Sequence, residues 1–272
     1  MILALLTASV LLSWAGAAFA AADDSAQDWT RLREGHRYRL DVDLLYDHLK
    51  PNDLYGDWAT ATATLYIKHL PRFTPFIQVG LLEREDVDAG LTFGTYADWT
   101  SRLYTYTAFT RGGESRYQPR FRWDHSFHYN TGPVILVFGG GRSEDFVGHE
   151  DWNLTFGPRL WRGPVIAEYR ATRTHSDPGE HVSWKHTLSF GWGEEGRVWL
   201  FVNLTQGQEL YTATWVAPHQ TVDHDFREIT VSWQRWLAPR MGVKLQAGWL
   251  DLGEGIDGYE KMGLGAGFFL EF

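Results

Sequence analysis

Cysteine is absent from the 272 residues, which excludes disulfides, thiolate metal sites, a cysteine nucleophile and a lipoprotein anchor. Positive charge is scarce: 25 Lys and Arg stand against 34 Asp and Glu, for a formal net charge of -9. A surface of that sign does not attract nucleic-acid phosphates. Long apolar runs are also missing, apart from "MILALLTASVLLSWAGAAFA" at residues 1–20. After that stretch no segment reaches the ~18–20 apolar residues that a membrane-crossing helix needs.

The first stretch carries no charge and closes on the small-x-small triplet Ala18-Phe19-Ala20. It reads as a secretory signal peptide cleaved at Ala20 or Ala22. Residues 21–35 read as a short periplasmic N-terminal segment, and 36–272 as one domain. With 44% hydrophobic residues and 22% charged, the exported part has enough apolar surface to fold.

Aromatic residues are abundant, at 15% with 14 Trp, and they fall into a period of two. Residues 36–49 set Tyr38, Leu40, Val42, Leu44 and Tyr46 against Arg37, Arg39, Asp41 and Asp43. Residues 118–129 set Phe121, Trp123, Phe127 and Tyr129 against Arg120, Arg122, Asp124, Ser126 and His128. Residues 182–192, 229–233 and 243–249 repeat the alternation. Successive side chains of a strand point to opposite faces, so each segment is a strand with one greasy face.

Turn residues divide the chain into about fourteen such strands, with twelve as the alternative. Short connections such as "NTGP" (130–133) and "GEEGR" (193–197) alternate with longer ones such as "HLKPNDLYGD" (48–57) and "GRSEDFVGHED" (141–151). The strands are about ten residues or longer, the length a tilted strand needs to cross a bilayer, whereas soluble strands average about five or six. Aromatics cluster near the short turns (Phe73, Trp99, Trp161, Trp192, Trp236, Phe272) and toward the long loops (Tyr46, Trp58, Trp152, Trp184, Tyr211). Two girdles, short turns on one side and long loops on the other describe a transmembrane up-and-down antiparallel β-barrel of the bacterial outer membrane. Its partners would be outer-membrane lipid and lipopolysaccharide.

By alternation Arg39, Asp41, Asp43, Arg120, Arg122, Asp124, Glu168, Arg170, Lys185, Glu228, Lys244 and Lys261 are expected to line the lumen. They could flank a hydrated channel, or pair with one another as an internal plug, since charges inside a barrel must pair to offset desolvation. The long loops are acidic (Glu83, Glu85, Asp86, Asp88; Glu144, Asp145, Glu150, Asp151; Asp223, Asp225; Asp251, Glu254, Asp257, Glu260). None has the spacing of a defined calcium loop, so they read as a solvated surface; no metal or cofactor is expected. "GGGR" (139–142) ends a strand rather than opening a helix and is not a phosphate loop. His186 and Ser189 have opposite parity and cannot pair directly, whereas His219, Asp223, His224 and Asp225 share the longest loop.

The segments "GPVIAEYRATRTHSD" (163–177), "VWLFVNLTQGQELYTATW" (198–215) and "ITVSWQRWLAP" (229–239), with the closing strand to Phe272, resemble the YaiO-type outer-membrane β-barrel family. That resemblance implies a barrel in the bacterial outer membrane and, through some relatives, a link to surface-polysaccharide systems. The last strand, with Gly267, Phe268, Leu270 and Phe272, also resembles the terminal signature that barrel-assembly machinery reads. The leading expectation for function is a passive pore or conduit for small or saccharide-like solutes, linked to surface polysaccharide, with a polysaccharide or periplasmic partner. A non-conducting surface barrel acting through its acidic loops is the alternative, and an outer-membrane hydrolase the second alternative; an enzyme is not expected.

Overall fold

Strands form here because polar and apolar residues alternate along most of each segment. In "DWATATATLYI" the Thr side chains fall on one face and the Ala side chains on the other. A computed structural model describes residues 35–51, 56–84, 86–113, 118–213, 218–253 and 258–272. The expected signal peptide and nearly all of the N-terminal segment lie outside the described residues.

Fourteen strands follow in chain order: β1 (Tyr38–Lys50), β2 (Asp57–Ile67), β3 (Phe73–Glu83), β4 (Val87–Asp98), β5 (Leu103–Gly112), β6 (Phe121–Asn130) and β7 (Val134–Glu144) make one half. The other half is β8 (Glu150–Arg162), β9 (Val165–Asp177), β10 (His181–Glu194), β11 (Val198–Ala213), β12 (Gln220–Ala238), β13 (Met241–Asp251) and β14 (Glu260–Glu271). Each pairs antiparallel with its neighbours, and β14 pairs with β1 to close a barrel. Closure leaves no sheet edge, so each backbone donor and acceptor of the ladder finds a partner, as hydrocarbon requires.

The seam runs in register from Arg39 opposite Glu271 to Lys50 opposite Glu260. Phe272 extends it by one residue: its N–H donates to the Tyr38 carbonyl at 3.0 Å and its carbonyl accepts from Tyr38 at 2.9 Å. The two rings stack with centroids 5.6 Å apart. Phe268, Leu270 and Phe272 face outward, and Gly267 faces inward against Asp43.

Burial is inverted relative to a soluble protein. Leu264 is 71% exposed, Trp192 56% and Phe138 54%, while Asp41 is 7% exposed and Glu271 1%. Apolar side chains cover the outside and polar ones the inside, as a lipid solvent selects. The buried apolar cluster is itself inside the barrel: Trp199, Trp236 and Phe269, with Ile166 and Phe201 packed on them.

Two expectations change. Trp236 and Trp161, assigned to the girdle at the short turns, and Trp58 and Tyr211, assigned to the other, have the inward parity of their strands. Nearness to a strand end does not decide which face a residue takes. Phe73, Trp99, Trp192 and Phe272 remain outside at the short-turn end, with Tyr46, Trp152 and Trp184 at the other.

The long connections are also shorter than expected. β3 runs to Glu83 and β4 starts at Val87, β7 to Glu144 and β8 at Glu150, β9 to Asp177 and β10 at His181. Polar residues on both faces do not stop a ladder, so the strands continue past the lipid into water. Glu83, Asp88, Glu144, Glu150, Asp151, Asp223, Asp225, Asp251 and Glu260 therefore sit on strands, with only Asp86 and Asp145 in connections. Glu85, Glu254 and Asp257 lie outside the described residues.

Candidate functional site in the barrel lumen

Register fixes which side chains point inward. Arg39, Asp41 and Asp43 of β1, Arg122 and Asp124 of β6, and Glu168 and Arg170 of β9 share the inward parity. So do Lys185 of β10, Glu228 of β12, Lys244 of β13 and Lys261 of β14. Arg120 does not join them, because β6 begins one residue later. It stands at the outer rim, 3.6 Å from the Glu144 carboxylate and 5.8 Å from the Phe146 ring centre.

Close to the short turns, the inward side chains form a ring of four alternating parts. The first is ionic. The Arg39 guanidinium donates to both oxygens of Asp41, at 2.6 and 3.0 Å. Lys244 bridges Asp41 at 2.9 Å and Asp43 at 2.7 Å. The Glu271 carboxylate accepts from Lys68 at 3.1 Å, lies 3.0 Å from the His36 imidazole and is 3.9 Å from Arg39.

An aromatic arc follows on β2 to β5. Tyr66, the register neighbour of Arg39, lies 5.6 Å from Phe76, which stacks on Tyr106 at 6.1 Å; Tyr96 is 5.1 Å from Tyr106. These separations are in the favourable range for ring pairs. Tyr104 ends the arc and stacks on His128 with centroids 4.3 Å apart.

A second ionic cluster comes next. Glu168 accepts from both Arg159 and Arg170, and Arg159 also donates to the Tyr104 hydroxyl at 3.3 Å. The ring closes through the apolar cluster of Ile166, Phe201, Trp199, Trp236 and Phe269. Trp236 meets Phe269 edge-on at 4.9 Å, and the Arg39 guanidinium lies 4.3 Å above the Phe269 ring, within cation–π range.

Two glycines let these rings lie against the wall rather than across the lumen. A Cβ at Gly94 would clash with the edge of the Phe76 ring, and one at Gly242 with the edge of the Phe269 ring. The strand gives up a side chain there so that its neighbour's ring can flatten.

Farther from the short turns, small hydroxyl and amide side chains make up part of the inner wall. Thr92 bonds Thr110 at 2.8 Å, Thr155 bonds Thr172 at 2.9 Å, Thr174 donates to Asn153 at 2.7 Å, and Thr187 bonds Thr205 at 3.2 Å. Between this wall and the first ionic cluster lies a cavity of about 490 Å³. Asp43, Thr62, Phe201, Ser232, Gln234, Lys244 and Gln246 bring donors, acceptors and one aromatic ring to it.

Residues weighed for catalysis do not converge. His186 is on the outer face of β10 and Ser189 on the inner, while Asp223 and Asp225 of β12 have the opposite parity to His224. Gly139, Gly140 and Gly141 are paired within β7 between β6 and β8. Among the described residues no three metal-ligating side chains come together.

Of the charged half of the ring, alternation pointed to Arg39, Asp41, Asp43, Glu168, Arg170 and Lys244 but not to His36, Lys68, Arg159 or Glu271, and it passed over the aromatic half. The available signal was an aromatic residue at a polar parity: Tyr66 follows Thr60, Thr62 and Thr64, and Phe76 precedes Gln78.

The family model described as YaiO membrane beta barrel domain matches residues 38–212. That span includes the first strands, which lie outside the resembling segments, and stops before 229–239 and the closing strand. No curated protein matches the chain. Among solved structures, the chain is similar to the Acinetobacter baumannii outer membrane protein Omp33, with TM-score 0.52 and 11% identity over 88% of this chain and 100% of that one. It is also similar to a bacterial polysaccharide outer membrane secretin (TM-score 0.56, 9% identity, 87% and 99% covered). A third likeness is to the CymD monoaromatic hydrocarbon channel (TM-score 0.56, 7% identity, 90% and 91% covered). At these identities the likeness is one of fold. A closed fourteen-strand barrel with an apolar exterior, matched by the family model over more than half its length, belongs to the YaiO membrane β-barrel domain family and is a β-barrel of the bacterial outer membrane.

Proposed function

We propose that the barrel is a passive pore for small, saccharide-like solutes, without catalytic turnover. The observation that carries this reading is the 490 Å³ cavity directly outward of the ring. A pyranose presents hydroxyls that both donate and accept, and C–H faces that stack on rings. Asp43, Gln234, Gln246, Ser232 and Lys244 supply the polar half and Phe201 the apolar half. Fourteen strands lie between the eight that fill themselves with side chains and the sixteen or more that hold an aqueous channel, so the flattened rings matter to patency. The fold likeness to a protein described as a polysaccharide outer membrane secretin is consistent with a carbohydrate solute.

One observation favours a second reading, a non-conducting barrel: the ring brings together side chains from nearly every strand at the short-turn end. Swelling of proteoliposomes in isotonic mono-, di- and trisaccharides separates the two. The pore reading expects swelling that falls with solute size. Rates equal to those of protein-free liposomes, from barrel shown to be folded, would overturn it and leave the closed barrel.

A further inference from the structure

The outer face of β9 to β13 carries a second concavity, of about 390 Å³, that opens toward lipid rather than the lumen. Its floor is the register row Leu188, Leu204 and Ile229, which is apolar and exposed. The row directly above it, toward the long loops, is polar: His186 of β10 stands opposite Gln206 of β11, and Gln206 opposite Arg227 of β12. Three adjacent strands thus break their apolar alternation at the same level.

Arg227 is exposed on this face and forms no ion pair among the described residues. Asp251 is opposite it in register, but its carboxylate instead accepts from the Gly253 N–H at 3.3 Å. His186 is held in place: the Tyr169 hydroxyl bonds its Nδ1 at 2.8 Å, and its ring is parallel to that of Trp184 at 6.4 Å. Trp184 belongs to the aromatic girdle toward the long loops, which places the polar row at the outer headgroup boundary. An unneutralised guanidinium beside hydrocarbon is costly, and such residues are retained where an anionic partner compensates them.

We propose that this groove binds one phosphorylated glycolipid of the outer leaflet. Its phosphate sits on Arg227 and His186, its sugar hydroxyls reach Gln206, and an acyl chain lies along Leu188, Leu204 and Ile229. The charge is complementary, since Arg227 offers a fork of donors suited to phosphate oxygens. The floor lies below the polar row in the order that such a lipid requires. The site is independent of what passes through the lumen.

Native mass spectrometry of the purified barrel in detergent, titrated with bis-phosphorylated lipid A, dephosphorylated lipid A or phosphatidylethanolamine, tests this. The expected result is one retained copy of bis-phosphorylated lipid A, with at least tenfold weaker retention of the other two. Arg227→Gln, checked for folding by heat-modifiable migration, should lose most of that preference, and inorganic phosphate alone should not compete at equal concentration. Equal retention of the three lipids by the unaltered barrel would overturn the proposal. So would an unchanged preference in folded Arg227→Gln, whereas effective competition by free phosphate would replace the lipid with a phosphate-only site.

Discussion

The two ends of the lumen are built from different materials. Near the short turns it is lined by aromatic rings and buried ion pairs, including Glu271 at 1% exposure. Toward the long loops Thr, Ser, Asn and Gly share the wall with charged and aromatic side chains, among them Arg122, Asp124, Lys185, Glu228, Lys261 and Trp58. At the first end Arg39, Asp41, Glu168 and Glu271 are each held by more than one partner, and at the second Thr side chains bond one another between adjacent strands. On the pore reading proposed above, selectivity would belong to the inner ring and access to the outer wall.

The largest effect is expected from breaking the ring's charge balance. Glu271→Gln leaves Lys68 and Arg39 facing a neutral amide in a buried place, and removing one member of a buried ionic group costs about 3–5 kcal/mol. The urea midpoint of unfolding should fall accordingly. A similar loss from Thr62→Val, in the outer wall, would erase the distinction between the two ends.

Next comes Gly94→Val. The added side chain would push the Phe76 ring off the wall and into the lumen, at about 1–3 kcal/mol of overpacking. Solute flux should drop much further than stability does. Unchanged flux would mean that Phe76 does not border the path.

Leu188→Asp and Thr187→Asp are neighbours on β10 with opposite faces. The first puts a carboxylate against lipid and should cost ~2 kcal/mol or less, because acids are cheaper there than Arg or Lys. The second points into the polar inner wall, where Thr187 bonds Thr205, and should be smaller. Equal costs in denaturant titrations would contradict the assigned parity. The smallest effect is expected at Arg142, which pairs with Glu150 at 2.8 Å on the exposed outer rim. Arg142→Ala should leave the melting temperature nearly unchanged, because an exposed pair is screened by solvent, and a clear drop would show that the rim is less solvated than described.

Alternation made the strands, their number and the inward charges legible in the sequence, because period two is local. Arg39 and Asp41, two residues apart, are such a case. Contacts made across several strands were not legible. Arg39 reaches Gln234 and Arg159 reaches Tyr104 only because the sheet curves and closes. Trp236 was misassigned for a related reason: an aromatic residue near a strand end suits a girdle equally well on either face until register is known. The long loops were overestimated because acidic residues were read as turns, although they also suit strands that extend into water.

Single-channel recording of the refolded barrel in a planar bilayer bears most directly on the proposed pore. Steady ohmic openings, partly blocked by added oligosaccharide and reduced by Gly94→Val, are the expected result. Silence from protein shown to be folded would contradict an open lumen and make the inner ring a plug.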